Sequence, residues 1–565
     1  MNLTPDLRRP SSDHPDGPGH TFVVNGVLEG LGWDAAIIPT DPDFTVSSFW
    51  RPAVGLAAHD PWAPMRPDGW GRGAAKRAKS VDDGETVPLV WFLDVVSPSA
   101  DDLGARAADC IRAMVAADRT DLERRARAAQ RARPLVALTV IGVGAGGHGR
   151  ERGTVIRGLL RGASAAARDA GVDVVIVARS RADYAALQHL RAGEAAKGEA
   201  TSPLRDELVD AARALGEKAS KGELALFIGA GVSMSAGLPS WTSLIHLLAA
   251  SPDAEASLKG IDLLKHGPLE QATLLDAASK ESTEPLGEQI ATIIKATTTP
   301  GLSHALLVGL RCREVVTTNY DKLYETAVDA ILPESAEKSD RVAVAPWDRP
   351  SADGSWILKM HGDVEHPGSI VLTRRSFVRY DAHWKPVGSI VQSLMMTRHL
   401  LVLGASMTDD NLVRFAHEVG ELRDGLAGTG SSAGDGVPEI GTIVTLFDSP
   451  ALRKLWDGRF TVVGATEDPA PEASDLSLRA TPDQLAARAL SIFLDAIGMY
   501  AVRDASYLLD RSYEPTSSEG REVAEHLQAL GPRLAALRDM DPQGDWAKLG
   551  VALTAFGLEI RGDGA

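Results

Sequence analysis

Four short apolar runs in the middle of the chain each break into glycine or a polar residue at one end. The fragments that contain or follow these runs are Leu226–Trp241 (LFIGAGVSMSAGLPSW), Thr317–Asp321 (TTNYD), Lys359–Asp363 (KMHGD) and Leu401–Ser406 (LVLGAS). Continuous rather than alternating apolar runs imply strands covered on both faces, as in a parallel sheet packed between helices. In such sheets ligands bind outside the carboxyl ends of the strands. Gly, Asn, His and Ser stand at those ends here, so the four fragments are expected to meet in one site.

The rest of the sequence sets the frame. A chain of 565 residues exceeds one core, and about two to four domains are expected. Residues 1–19 read as a flexible tail. Residues 20–200 alternate strand-like runs, such as Phe22–Gly26, Asp34–Thr40, Pro88–Val96, Leu135–Ile141 and Val172–Val177, with helical stretches at Ala100–Arg133 and Thr154–Ala170. Arg191–Pro203 reads as a boundary. A second α/β region, 204–500, carries strands at Leu224–Ile228, Glu314–Thr317, Trp356–Lys359, His399–Leu403, Thr442–Phe447 and Phe460–Val463. Asp424–Pro438 reads as a mobile loop and Asp468–Asp475 as a connector. From Pro482 the pattern is helical, with Glu519–Arg538 and Trp546–Phe556 closing the 501–565 segment. The fold class is α/β with a Rossmann-type parallel sheet, preceded by another α/β domain and followed by helices.

Composition removes several functions. No apolar run approaches the roughly 18 residues of a membrane helix, and Met1–Gly19 lacks the apolar segment of a secretory signal. A cytoplasmic protein with no membrane partner is expected. The net charge of −17 disfavours nucleic acid, which needs clustered cations. The basic run Arg124–Arg133 sits among alanines and reads as a solvated helix face. Two cysteines, Cys110 and Cys312, cannot by themselves form a four-ligand zinc site, and no metal is expected.

Each motif has a chemical and a plain structural reading. Gly229, Ala230 and Gly231 bring backbone close to a pyrophosphate at a helix start, or simply form a tight turn. Ser233 and Gly237 keep the next turn small. Thr318, Asn319 and Asp321 end a strand, where Asn319 or Asp321 could equally cap the following helix. His361 follows a strand directly and precedes a glycine, so its imidazole can take a proton near neutral pH. The other thirteen of the 14 histidines are assigned to surface or core. Gly404 and Ser406 can approach a ribose or phosphate, while Asp410 and Asn411 can cap the helix starting at Leu412.

Together these fragments resemble the sirtuin-like domain, over about residues 204–500, and most of all its bacterial anti-phage branch of NAD hydrolases. The resemblance implies a dinucleotide loop at Gly229, Ala230, Gly231, Ser233 and Gly237, with Thr318 beside it. It places Asn319 and Asp321 at the nicotinamide end, His361 as the catalytic histidine, and Gly404 and Ser406 at the adenosine-side ribose. NAD is then the substrate, cleaved to nicotinamide and ADP-ribose, in an effector expected to be a homo-oligomer or regulated by a partner, and inhibited or incompletely assembled at rest. Two departures bear on the alternative, an NAD-dependent protein deacylase. Ser240-Trp241-Thr242 replaces the usual acidic, aromatic and Arg residues, and the zinc cysteines are missing. A non-catalytic NAD or ADP-ribose sensor is the other alternative. Residues 20–200 resemble a macro domain, through Asp34–Thr40, the Gly142–Gly147 loop, the Arg152–Ala170 helix and the Val172–Val177 strand. Pro39-Thr40-Asp41 stands in place of that family's Asn-Ala-Asn. This resemblance implies ADP-ribose or a related nucleotide near Asp34 and the Gly142–Gly147 loop.

Overall fold

The computed structural model describes residues 18–79, 88–97, 99–144, 146–196, 203–280, 284–332, 336, 340–407, 409–427, 439–467, 480–513 and 518–560. The expected tail up to residue 17, the 428–438 part of the expected loop and the 468–475 connector lie outside them.

Two sheets organise the chain. The first contains β1 (Thr21–Asn25), β2 (Ala35–Thr40), β3 (Ala75–Arg77), β4 (Leu89–Asp94), β5 (Leu135–Thr139) and β6 (Asp173–Ala178), in the order β1-β6-β5-β2-β4-β3. All neighbours are parallel except β3, which runs antiparallel to β4 at the edge. The second contains β7 (Leu224–Ile228), β8 (Glu314–Thr317), β9 (Ala343–Ala345), β10 (Trp356–Lys359), β11 (His399–Leu403), β12 (Gly441–Phe447) and β13 (Phe460–Thr466). Its order is β13-β12-β11-β7-β8-β10-β9 and every pair is parallel. From β7 the chain proceeds outward through β8 and later returns to β11 on the other flank. This reversal makes the carboxyl end of β7 the crevice where such sheets take ligands.

The apolar strands form as expected because both faces are covered: β7 and β8 are buried along their whole length. Among the helices that connect β7 to β8 are Trp241–Ala249, Pro252–Ser257, Pro268–Ser279 and Leu286–Lys295. They enclose a small core of their own around Leu244, Ile245, Leu275 and Ile290.

Several expectations need correction. The helix expected over Ala100–Arg133 runs over Asp102–Ala128 and kinks at Asp118, whose φ is −118°. Asp118 is buried there and accepts hydrogen bonds from Trp91 Nε1 (2.7 Å) and Arg77 (2.6 Å). The helix Arg181–Ala196 takes up the first residues of the expected boundary, because Arg191 is anchored on the buried carboxylate of Asp495. The closing helix Glu519–Arg538 is two, Ser518–Gln528 and Gly531–Met540, since Gly531 and Pro532 interrupt it. Asp34 precedes β2 and stands at its amino end. Its carboxylate accepts from the Leu135 amide (2.8 Å) at the start of β5 and from Arg131 (2.6 Å). The Gly142–Gly147 loop follows the opposite end of β5, so Asp34 and that loop do not share a site.

Helix Pro482–Ala501 ties the two sheets together. It packs on helix Asp206–Ser220 and on Arg181–Ala196, and touches β1, β12 and β13. Its fully buried Asp495 pairs with Arg191 and with His20 Nε2 (2.8 Å) and accepts from the Val23 amide (3.3 Å). Burial would raise the Asp495 carboxyl, but Arg191 and His20 outweigh it and hold it down at about 2.

Candidate functional site

At the end of β7 the chain turns at Gly229 into the one-turn helix Ala230–Met234. The glycines here first serve the crossing of two turns. A Cβ on Gly229 would lie 2.5 Å from the Ala405 Cα, and one on Gly231 would lie 2.9 Å from the Gly404 Cα. Gly404 has φ +64°, and a Cβ there would meet the Val232 nitrogen at 2.6 Å. The Gly231 amide donates to the Gly404 carbonyl (2.9 Å). Gly229, Gly231 and Gly404 therefore lock the β7 and β11 turns into one floor, and Ala230 lies on it. Gly237, with φ +94°, reverses the chain after Met234, whose carbonyl accepts its amide. That is a turn role. Ser406 is exposed just past this floor.

Ser233 is the hub of the site. It is buried, donates to Asp321 Oδ2 (2.9 Å), and accepts from Asn319 Nδ2 (3.0 Å). The fourth member is His304, on the buried helix Leu302–Gly309. Its Nδ1 accepts the Gly301 amide (3.3 Å), so the proton sits on Nε2 and is shared with Ser233 Oγ (3.3 Å). Burial drives the His304 imidazole down to about 4, against the pull of Asp321, so it is neutral. With two bonds accepted and one donated, the Ser233 hydroxyl is saturated within the protein.

Asn319 and Asp321 follow β8, with Thr318 half-buried between the strand and Asn319. The Thr318 amide donates to the Ile228 carbonyl (3.2 Å), joining β8 to β7. Asn319 Nδ2 also donates to the Gly229 carbonyl (3.2 Å). Its Oδ1 is buried and has no hydrogen-bond partner in the protein. Both Asp321 oxygens are engaged, Oδ2 by Ser233 and Oδ1 by the Leu323 amide (2.9 Å). Asp321 thus holds the turn that leads into the helix Leu323–Asp329 and ties it to Ser233.

His361 lies beyond β10, 4% exposed. Its ring meets Phe377 edge-on at 5.2 Å. Its Nε2 makes no hydrogen bond and faces Asp409 Oδ2 at 3.4 Å. Burial lowers its pKa, with Asp409 opposing. Gly362 (φ +96°) is required by the turn, since a Cβ would lie 2.4 Å from the Ser369 carbonyl oxygen. Asp409, rather than Asp410 or Asn411, caps the helix Asp410–Ala427: its Oδ1 accepts the Asn411 and Leu412 amides, both at 3.0 Å. Asn411 Nδ2 is a further buried polar atom without a partner.

Beneath the site lies a fully buried lysine. Lys359 contacts the Asp321 carbonyl and pairs with Glu325 (2.8 Å) and Asp363 (3.3 Å). Burial would lower its pKa, but Glu325, Asp363 and Asp321 outweigh it and keep the ammonium charged. Neither His304 nor Lys359 stands out in the sequence as a member of this cluster. Trp241, in the segment that departs from the deacylase pattern, opens the helix Trp241–Ala249, with Ser240 capping it. Cys110 and Cys312 are both buried free thiols, in different hydrophobic clusters. Among the described residues no group of three His, Cys, Asp or Glu is arranged to hold a metal ion. No described helix is long and apolar enough to cross a membrane.

This geometry coincides with a family match. Residues 313–430 match the SIR2-like domain. That span holds Thr318, Asn319, Asp321, His361, Gly404 and Ser406. The chain is also similar to the NAD(+) hydrolase ThsA of Enterococcus faecium, 27% identical over 206 residues, which is 36% of this chain and 41% of that protein. The NAD(+) hydrolase ThsA of Bacillus cereus (strain MSX-D12) is 30% identical over 210 residues, 35% of this chain and 41% of the relative. Defense-associated sirtuin 2 of Bacillus subtilis is 23% identical over 245 residues, 42% and 23% of the two chains. The chain thus spans about two fifths of the length of the two hydrolases.

Proposed function

We propose that the cleft at the β7, β8, β10 and β11 ends hydrolyses NAD at the nicotinamide–ribose bond, giving nicotinamide and ADP-ribose. One observation carries the reading. Asn319 Oδ1 and His361 Nε2 are both buried and make no hydrogen bond within the protein, beyond the carboxyl ends of the neighbouring strands β8 and β10. Buried polar atoms are ordinarily satisfied, and exceptions mark function. One acceptor on an amide and one neutral imidazole suit a water and a ribose hydroxyl.

The chemistry needs little else. The C1′–N bond breaks with its electron pair passing to the pyridinium nitrogen, so nicotinamide leaves neutral. Positive charge develops on the ribose. Asn319 Oδ1 orients the water whose oxygen bonds to C1′. His361 Nε2 takes the proton released, and Asp409 Oδ2 at 3.4 Å stabilises the imidazolium formed. Asp321 acts through Ser233, holding Asn319 in position. Ala230, with Gly229 and Gly231, supports the pyrophosphate on the floor of the crevice, and Gly404 and Ser406 lie toward the adenosine side.

The chain is proposed to act in bacterial anti-phage defence by depleting NAD, a reading supported by the names of its relatives. Its first sheet is proposed as a macro-like regulatory domain for ADP-ribose or a related nucleotide. The supporting feature is the carboxyl edge of that sheet. There Thr40 Oγ1 on β2 and Thr139 Oγ1 on the adjacent β5 are buried and have no hydrogen-bond partner, and Gly142 follows β5. Incubating the purified chain with NAD and separating the products by chromatography tests the activity. Free nicotinamide and ADP-ribose in equal amounts are expected. Intact NAD under resting and phage-infected-extract conditions alike would overturn the reading, and acyl-ADP-ribose from an acetylated peptide would favour a deacylase.

A further inference from the structure

A cavity of about 850 Å³ is lined by Asp321 but by none of Gly229, Ser233, Asn319, His361 or Ser406. It lies between the helix Leu323–Asp329, the edge strand β9 and the residues that follow β9. Its size falls in the range of small-molecule sites, roughly 300–1,000 Å³.

Three features of its lining define a ligand. Glu325 is buried, reaches the cavity, and pairs through Oε1 with the Lys359 ammonium at 2.8 Å, while its Oε2 has no hydrogen-bond partner in the protein. On the rim, Lys322 and Arg349 are exposed and make no ion pair among the described residues. The other two cations of the lining are already matched, Lys295 by Glu365 (3.3 Å) and Arg341 by Asp329 (3.0 Å). Leu323, Val342 and Val364 supply a buried aliphatic wall. The cavity therefore offers a carboxylate acceptor inside, two free cations outside, and an apolar surface between them.

We propose that this cavity binds a phosphorylated ribose of the nucleotide class. The ribose diol donates to Glu325, as carboxylates commonly accept ribose hydroxyls. The phosphate meets Lys322 and the planar fork of Arg349. The base lies on the aliphatic wall. Lys359 bridges Glu325 to the Asp321 carbonyl, so an occupant here bears on the cleft. That consequence rests on the proposed NAD cleavage, whereas the binding does not.

Calorimetry on the full chain with adenosine 5′-monophosphate tests it. The wild type should bind one equivalent at this cavity. The double variant Lys322→Ala with Arg349→Ala changes only exposed side chains and should weaken binding at least tenfold. Asn319→Ala should leave it unchanged. Glu325→Gln, checked for folding by circular dichroism, should weaken it as well. No binding to the wild type would overturn the proposal. So would binding that survives in the rim double variant or disappears in Asn319→Ala. NAD turnover, measured separately, decides the cleft reading, so the two can fail independently.

Discussion

Asn319→Ala separates chemistry from folding more cleanly than any other substitution in the cleft. The side chain gives two hydrogen bonds to the protein, to Gly229 O at 3.2 Å and to Ser233 Oγ at 3.0 Å. Losing both costs about 2–3 kcal/mol, at roughly 1 kcal/mol net for each bond with a further share for the space left behind. Ser233 keeps its bonds to Asp321 and His304, so the hub survives. A loss of this size falls below the reserve of about 5–15 kcal/mol that folded domains hold. The Oδ1 atom binds nothing in the protein, so its removal breaks no contact. Its catalytic value is that of one preorganised polar group, about 10²–10³ in rate, or about 3–4 kcal/mol in the barrier. The assay follows nicotinamide release by chromatography alongside a thermal melt of the same sample. The variant should melt a few degrees lower and turn over at least a hundredfold more slowly. A well-folded Asn319→Ala protein cleaving NAD at near wild-type rate would refute the placement of the reacting water.

Other consequences follow from the same contacts. Folded His304 titrates at about 4 because it is buried, against about 6.5 when unfolded, so its contribution is complete above about pH 6.5 and disappears as pH falls toward 4. That amounts to about 3 kcal/mol; denaturant midpoints across this window should fall less steeply for His304→Gln than for wild type, and equal slopes would contradict the assignment. Asp495→Asn leaves Arg191 buried without its anion and should cost about 3–5 kcal/mol by chemical denaturation, a change under about 1 kcal/mol counting against the clamp. Prolonged chelation should leave NAD cleavage intact, and stoichiometric zinc lost together with activity would argue the opposite.

The buried strands were legible because covered parallel strands must be apolar along their whole length. Leu224–Ile228, Glu314–Thr317, Trp356–Lys359 and His399–Leu403 fall where the sequence puts them. The edge strands β3 and β9 are three residues each, half-exposed, and too short to show a period. Asn319 and His361 were legible as polar breaks after apolar runs. His304 was not, because it interrupts a helix buried throughout, where one polar residue reads as packing. The available signal was Pro300-Gly301 just upstream, which starts that helix against Ser235 and Ala236. Lys359 ends a strand, a place where lysine is usually solvated; its burial is explained by Glu325, Asp363 and the Asp321 carbonyl, which the fold brings round it. Asp34 reads as a site residue because it is polar and borders a strand, but it stands at the amino end of β2, whereas ligands meet the carboxyl ends.

The two sheets share packing that the linear order of the chain conceals. One hydrophobic cluster runs from Phe22, Val24 and Val177 of the first sheet through Leu306, Leu307, Ile492 and Phe493 to Leu226 and Leu403 of the second. Helices Leu302–Gly309 and Pro482–Ala501 both touch β1. Removing residues 1–200 would expose several of these side chains at roughly 1.5–3 kcal/mol each, enough together to exceed the reserve of a domain. The truncated chain should therefore aggregate, and a soluble truncation with a cooperative melt would refute the shared core. Regulation by the first sheet is better tested at its contacts with the cleft's supports. The Gly32 amide donates to the Pro300 carbonyl at 2.9 Å, four residues before His304. A Cβ on Gly30 would lie 2.5 Å from the Ala330 Cβ, at the end of the helix that carries Glu325. Gly30→Val presses on that helix without altering any group that meets NAD. If the first sheet governs the cleft through these supports, the variant should change NAD turnover by more than its loss of folded protein explains. Turnover per folded molecule equal to wild type would confine the first sheet to packing.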